Sequence, residues 1–229
     1  NALHDALEQN EFSSHYQPQV SLISGKVIGA EALIRWHSKK LGHVSPGEFI
    51  PLTEENGQIL AIGEWVVRTA VRQIQQWIEA GITPVRIAVN LSSAQFQAGD
   101  LPKMVIKILN EYRIPAEYLE LELTERIVTK DPEHTVIILE SLQELGIRTS
   151  LDDFGAGHSS LSYLQRFPVY KLKIDQSFVR NMTTNTNDQV IIGTIILLAQ
   201  QLGMTTIAEG VETKAQLDML NNIGCDDIQ

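Results

Sequence analysis

The chain has 229 residues, of which 43% are hydrophobic, and its formal net charge is −10 at pH 7. This length allows one or two domains of ordinary size, and a single α/β barrel also fits. The acidic charge excludes a basic surface for nucleic-acid polymers or anionic membranes, while the single cysteine, Cys225, excludes an internal disulfide framework and favours a reducing compartment.

Extended runs alternate with helical patterns, which is typical of parallel strands joined by crossover helices. Strands are predicted over residues 15–23, 26–36, 85–91, 119–125, 148–154, 171–178, 205–211 and 225–229, and helices over 64–81, 101–112, 135–146, 188–203 and 214–224. Ser24 and Gly25 are too short a connection for a parallel crossover, so the first two strands should pair antiparallel. Both an open sheet and a barrel share this alternation, but eight strands in this length favour an α/β fold of modified (β/α)8 TIM-barrel type.

The sequence predicts neither a membrane-spanning segment nor an N-terminal signal peptide. The longest apolar stretch, residues 190–199, is shorter than the ~18 residues needed to span a bilayer. The N-terminal residues lack the features of a signal peptide. We therefore expect a cytoplasmic segment without direct membrane contact, either free or attached to a membrane-anchored protein. Because the chain begins at Asn1 and not at Met, we expect residues 1–229 to be a single domain excised from a longer protein.

Acidic residues stand where several predicted strands end. These polar strand-end residues are Glu31, Asn90, Glu122, Glu125, Asp152, Asp153, Lys173, Asp175 and Glu209. In a barrel the carboxyl ends of the strands form one mouth, which is where reactive groups lie. Seven carboxylates this close would repel one another, so the pattern predicts bound cations.

Hard divalent ions suit this set of ligands. Carboxylate and amide oxygens favour Mg²⁺ or Mn²⁺ over Zn²⁺. The six histidines form no HExxH motif or other close metal-binding pair.

Simpler interpretations exist for each feature taken alone. A single strand-end acid is more often part of a salt bridge than a catalyst. The Asp152–Asp153–Phe154–Gly155 stretch suits a turn, because Asp and Gly are common turn residues. Lys173 would share a strand face with Asp175 and neutralise it.

Eight stretches in register resemble the EAL family of cyclic di-GMP phosphodiesterases. They are YQPQV (16–20), EALIRW (31–36), AVNLS (88–92), LELTE (121–125), DDFGAGHSSL (152–161), LKIDQSFV (172–179), AEGVE (208–212) and CDDIQ (225–229). The resemblance implies a barrel with an antiparallel first strand, the substrate cyclic di-GMP and the linear product pGpG. It also implies two ions of Mg²⁺ or Mn²⁺, with Ca²⁺ expected to bind without supporting turnover.

The resemblance also implies roles for individual residues. The first metal's ligands would be Glu31, Asn90, Glu122 and Asp152, and Asp153 with bridging Asp152 would serve the second. Glu209 would be a metal ligand or the base near the attacking water, and Lys173 would hold that water or the scissile phosphate. The implied substrate contacts are Gln17, Arg35, Asp175 and Gln229. Glu125 would anchor the 152–161 loop.

Three positions depart from the family's pattern. His158 replaces an aromatic residue, Tyr170–Lys171 replaces a commonly acidic position, and the chain ends at Gln229, so we expect it to lack the family's C-terminal end. We expect a homodimer and, in the longer protein, an upstream sensor or signalling domain.

Three functions compete. Retention of all the implied ligands favours hydrolysis over a non-catalytic cyclic di-GMP receptor. A barrel glycosidase would need only two acids and no metal, and it would leave Asn90, Lys173 and the Asp152–Asp153 pair unexplained.

Overall fold

A computed structural model describes residues 3, 6–98, 100–155 and 161–229 of the chain. Its strands are β1 (Phe12–Ser21), β2 (Val27–Ser38), β3 (Gly42–Val44), β4 (Arg86–Asn90), β5 (Leu119–Thr124), β6 (Arg148–Phe154), β7 (Lys171–Ile174), β8 (Thr205–Ala208) and β9 (Asp227–Ile228). Its helices are α1 (Pro46–Glu55), α2 (Ile59–Glu79), α3 (Ser93–Gln97), α4 (Leu101–Tyr112), α5 (Glu125–Lys130), α6 (Pro132–Glu144), α7 (Leu161–Leu164), α8 (Gln176–Asn181), α9 (Thr186–Gln201) and α10 (Lys214–Asn222). A short 3₁₀ turn (Ala116–Tyr118) precedes β5.

Eight of these strands close into a barrel. The hydrogen-bonded order is β1-β9-β8-β7-β6-β5-β4-β2, and a pairing between β1 and β2 completes the ring. Strand β1 is antiparallel to both of its neighbours, whereas β2 and β4 to β9 run parallel to one another. The predicted barrel with an antiparallel first strand is therefore confirmed. Strand β3 is an additional strand that pairs with the C-terminal end of β2.

The outer face of the barrel strands, which the helices cover, is apolar and the inner face is polar, as strand β5 illustrates. Leu119, Leu121 and Leu123 are fully buried in the hydrophobic core, and Glu120 and Glu122 alternate with them. Because successive side chains point to opposite faces of a strand, the leucines pack outward on the helices and the glutamates enter the barrel. The alternation LELEL thus lines the interior with charge and still builds a core.

An aromatic cluster supports the mouth where β1 and β2 project beyond the other strands. The ring of Phe49, on α1, lies 5.7 Å from the rings of both Phe12 and Trp36. The Trp36 indole N–H also donates to Glu11 Oε2 at 2.9 Å, which satisfies its one polar group. This cluster fixes the strand segment that carries Glu31 and Arg35.

Several predicted boundaries were wrong at the mouth. The predicted strand 171–178 ends at Ile174, because Asp175 accepts a hydrogen bond from the Ser177 N–H and caps helix α8. The predicted strand 205–211 ends at Ala208, and Glu125 begins a helix and does not end a strand. Helices α1, α3, α5, α7 and α8 were not predicted. None of them exceeds ten residues, and α1, α5 and α8 begin within two residues of the end of a strand. In the described part of the chain, no helix combines the length and apolar character required to cross a bilayer.

We predict that Phe49→Ala lowers the free energy of unfolding by about 3–5 kcal/mol, because it leaves a cavity beside the rings of Phe12 and Trp36. Urea unfolding followed by fluorescence measures the effect. Leu52→Ala on the same helix is the control, since Leu52 is 53% exposed and its loss should cost less than about 0.5 kcal/mol. Equal losses for the two variants would contradict the assigned packing.

Candidate functional site

One buried lysine lies among four carboxylates at the barrel mouth. Its ammonium Nζ is 2.6 Å from Glu122 Oε2, 2.8 Å from Glu209 Oε1, 3.2 Å from Asp152 Oδ1 and 3.4 Å from Glu31 Oε2. The Lys173 side chain is fully buried. The alternative in which Lys173 neutralises Asp175 is wrong, because Asp175 caps α8 and these four acids hold the ammonium.

The four acids come from different parts of the barrel. Glu31 is in the middle of β2, Glu122 is near the end of β5, Asp152 is in β6, and Glu209 directly follows β8. The Glu209 N–H donates to the Ile174 carbonyl at 3.2 Å, which places the Glu209 backbone beside the end of β7. Residues far apart in sequence therefore meet because parallel strands end at one edge.

A bulge in β6 brings two consecutive aspartates to the same site. Consecutive residues of a regular strand point to opposite faces, but the pairing of β6 with β7 shifts register between Leu151 and Phe154. Within this bulge Asp153 has φ +54°, in the left-handed region, and its N–H donates to Asp152 Oδ1 at 2.9 Å. Carboxylate oxygens of Asp152, Asp153 and Glu209 consequently lie within 4.8 Å of one another.

The proximity of these acids changes their proton affinities. Burial raises the pKa of Glu209 to about 7, with Asp152 and Glu31 adding to the effect and Lys173 opposing it. Burial, helped by Asp152 and Asp175, raises the pKa of Asp153 to about 6. Burial likewise raises the pKa of Glu122 well above its usual value, against the effect of Lys173.

The lysine and the outermost aspartate shift in ways that complement these acids. Burial by itself would lower the pKa of Lys173, but Glu122 and the other three acids raise it well above its usual value. Burial also acts to raise the pKa of Asp175. Hydrogen bonds from Ser177 and Asp153 outweigh it, so the pKa of Asp175 is lowered. Asp175 thus lies beside Asp153, a predicted metal ligand.

Two amides orient Glu31. Asn90 Nδ2 donates to Glu31 Oε1 at 2.5 Å, and Gln229 Nε2 donates to Glu31 Oε2. Asn90 ends β4, which pairs with β2, and Gln229 follows β9, which is separated from β2 by β1, so the two amides reach Glu31 from opposite sides. The structure brings these two predicted site residues together with the carboxylate cluster.

The remaining predicted residues surround the cluster. Gln17 is the cross-strand partner of Glu31 and shares its face of the sheet. Arg35 lies four residues beyond Glu31 on β2, also on that face. Glu125 is buried, and its Oε2 has no hydrogen-bond partner among the described residues. Glu125 is predicted to anchor the 152–161 loop, but residues 156–160 of that loop, among them His158, lie outside the described residues.

A pocket of about 600 Å³ adjoins the mouth. Asn90 and Arg35 form part of its wall, and the rest is largely apolar side chains from β2, α1, α2 and α5, among them Leu33, Ile50 and Ile127. No motif in the sequence indicated this pocket. Its lining is spread over distant segments, and the apolar periodicity of α2 is that of any helix packed on a core.

The donor set fits divalent cations. It consists of oxygen ligands only, as Mg²⁺ and Mn²⁺ prefer. Glu122 Oε1 is a buried carboxylate oxygen without a hydrogen-bond partner among the described residues, and a bound cation would satisfy it. Asp152, Asp153 and Glu209 supply a second group of close oxygens.

Comparisons with known proteins identify the family. The model of the EAL domain matches residues 1–229. The chain is 41% identical to the bifunctional diguanylate cyclase/cyclic di-GMP phosphodiesterase MucR of Pseudomonas aeruginosa, covering 99% of this chain and 34% of that protein. It is 39% identical to the cyclic di-GMP phosphodiesterase NbdA of the same species, over 99% of this chain and 29% of that protein.

A solved structure, the MucR phosphodiesterase in complex with c-di-GMP, superposes with a TM-score of 0.95 at 41% identity. The match covers 99% of this chain and 92% of that one. The chain spans about a third of the length of the curated relatives named above.

We predict that Lys173→Met lowers the free energy of unfolding by about 3–5 kcal/mol in EDTA at pH 8, because it leaves buried acids without their cation. The loss should shrink at pH 5.5. The pKa values of Glu122 and Glu209 are raised in the folded protein, so these acids bind more protons when folded than when unfolded. Their protonation therefore favours folding, and their contribution to stability falls as the pH rises.

Urea unfolding at the two pH values measures this difference. Lys214→Met is the control, since Lys214 and its partner Asp218 are both exposed and such pairs contribute about 0–1 kcal/mol. A Lys173→Met loss that does not depend on pH would contradict the ionised cluster.

Proposed function

The chain belongs to the EAL domain family, and on that basis we propose that it is a metal-dependent phosphodiesterase that hydrolyses cyclic di-GMP to linear pGpG. The observation that carries the proposal is the meeting of Glu31, Glu122, Asp152 and Glu209 around Lys173. Two acids would suffice for a glycosidase, whereas this cluster has the oxygen donors for two hard cations.

We assign the first cation to Glu31, Asn90, Glu122 and Asp152, and the second to Asp153 and a bridging Asp152. Glu209 lies within reach of either group and serves as a ligand or as the base near the attacking water. Mg²⁺ or Mn²⁺, when bound, would activate water and stabilise the leaving oxygen of the displacement at phosphorus. Ca²⁺ should bind the same oxygens without supporting turnover.

The chain's own residues bind and orient the substrate. Arg35 offers a guanidinium for two charge-assisted bonds to a phosphate, and Gln17 offers an amide on the same face of the sheet. The apolar walls of the adjoining pocket suit a planar purine base. Lys173 holds a proton throughout, because four acids face it, and therefore acts as a fixed positive charge for the water or the scissile phosphate.

Three further residues complete the assignment. Asp175 lies at the edge of the site beside Asp153, and Gln229 donates to Glu31, so both border the space for substrate. Glu125 anchors the loop that begins at Asp152. A homodimer and an attached sensor or signalling domain stay predictions.

We predict that Glu31→Ala abolishes hydrolysis and leaves the fold intact, because it removes an oxygen ligand and an acceptor shared by two amides. Chromatography of pGpG formed from cyclic di-GMP with Mg²⁺ or Mn²⁺ measures the rate. Glu144→Ala, at an exposed position of α6, is the control. Turnover by Glu31→Ala at the unmodified rate would contradict the metal assignment. Binding without turnover by the unmodified chain would instead favour a cyclic di-GMP receptor.

We predict that Arg35→Ala weakens cyclic di-GMP binding in Ca²⁺ by about tenfold or more, since a charge-assisted bond contributes roughly 1.5–3 kcal/mol. Metal affinity should not change. Calorimetry measures both constants, and Arg166→Ala is the control because Arg166 binds the exposed Glu133. Unaltered nucleotide affinity would remove Arg35 from the substrate site.

A further inference from the structure

A series of hydrogen bonds, partly buried at Glu31 and fully buried at its inner end, runs from Glu31 into the barrel and away from the mouth. Gln229 Nε2 donates to Glu31 Oε2, Gln19 Nε2 donates to Gln229 Oε1 at 3.0 Å, and Lys171 Nζ donates to Gln19 Oε1 at 3.3 Å. Lys171 precedes Lys173 by two residues on β7, so both side chains enter the barrel, one below the other. The series of contacts thus joins a second buried lysine to a proposed metal ligand.

The chemistry at its two ends determines how both amides are oriented. An ammonium only donates, so the Gln19 atom that faces Lys171 is the oxygen and the amide nitrogen points to Gln229. The Gln19 nitrogen donates to the oxygen of Gln229, so the Gln229 nitrogen faces Glu31 and donates to it. An ionised carboxylate only accepts, so the Glu31 end demands the same orientation.

The inner end is firmly held. Lys171 is 2% exposed, and its Nζ lies 3.4 Å from Glu120 Oε2. The Tyr170 hydroxyl donates to that same oxygen, and Arg86 Nη1 donates to the Tyr170 hydroxyl at 3.1 Å. Because Glu120 is held from two sides, the position of the Lys171 ammonium is defined by the barrel and not by solvent.

The sequence leaves room for the Gln19 side chain. Gln19 pairs across the β1–β2 ladder with Gly29. A Cβ atom at position 29 would lie 2.9 Å from Gln19 Oε1, closer than real contacts allow. Glycine at this position therefore permits the Gln19 amide to turn inward toward Lys171.

We propose that Lys171 and Gln19 are positioning residues that orient the Gln229 amide and, through it, the Glu31 carboxylate for cation binding. This inference rests on the proposed function only in that Glu31 is taken as a metal ligand. Neither Lys171 nor Gln19 needs to touch the cation or the substrate. Outer hydrogen bonds of this kind typically change metal affinity by about 10- to 100-fold when they are removed.

The variant Gln19→Glu should reverse the Gln229 amide and still accept the hydrogen bond from Lys171. A carboxylate at position 19 still accepts from Lys171 but cannot donate, so Gln229 must turn its nitrogen to residue 19 and its oxygen to Glu31. We expect Mn²⁺ affinity to fall by about tenfold. If the added negative charge acted only by long-range electrostatic attraction, Mn²⁺ affinity would instead rise.

The measurement is a Mn²⁺ binding isotherm by electron paramagnetic resonance at pH 8, without nucleotide. Gln189→Glu is the matched control: Gln189 Nε2 donates to the Met182 carbonyl, away from these contacts, and its loss should leave Mn²⁺ affinity unchanged. In a Gln229→Ala background, Gln19→Glu should cause no further loss. If Gln19→Glu does not fold, Gln19→Met removes the same donor without adding charge and should also weaken binding.

Mn²⁺ affinity that is unchanged or higher in Gln19→Glu would overturn the proposal. A tenfold loss that persists in the Gln229→Ala background would do so as well, since the effect would not pass through Gln229. Failure of the unmodified chain to bind Mn²⁺ at all would overturn the metal assignment of the proposed function, and the positioning role with it.

Discussion

The site depends on one buried ammonium group. Lys173 on β7 contacts acids from β2, β5 and β6 and one that follows β8. One ammonium group therefore links strands from most of the barrel's circumference. Four carboxylates in a water-poor interior would otherwise repel one another or take up protons. The lysine lets them stay close together, and a cluster of close oxygens is what a divalent cation needs.

The acids still keep more negative charge than one lysine neutralises. Burial raises the pKa of Glu209 to about 7 and that of Asp153 to about 6, and this excess of negative charge adds to both shifts. The left-handed backbone at Asp153 adds a local conformational cost for a residue other than glycine. Both features are unfavourable in the chain alone and are understandable in a site that binds cations, where strain and unbalanced charge commonly concentrate.

The fold could be predicted largely because its signals are local. Strand alternation, helical periodicity and the short turn at Ser24–Gly25 each lie within a few residues, and together they predicted eight strands and the antiparallel β1. The errors fall at the mouth, where α5 and α8 begin as soon as a strand ends. There a single cap, such as Asp175, decides between strand and helix.

The sequence by itself determined the family, the barrel and the set of candidate acids, because periodicity and motif spacing are properties of the chain. Only the tertiary structure decided that Lys173 pairs with four acids and not with Asp175, and that a β6 bulge brings Asp152 and Asp153 to one place. It also revealed the contact between Gln19 and Gln229, which are 210 positions apart. Such contacts depend on barrel closure and strand register, and no local pattern encodes the distance between two strands' side chains.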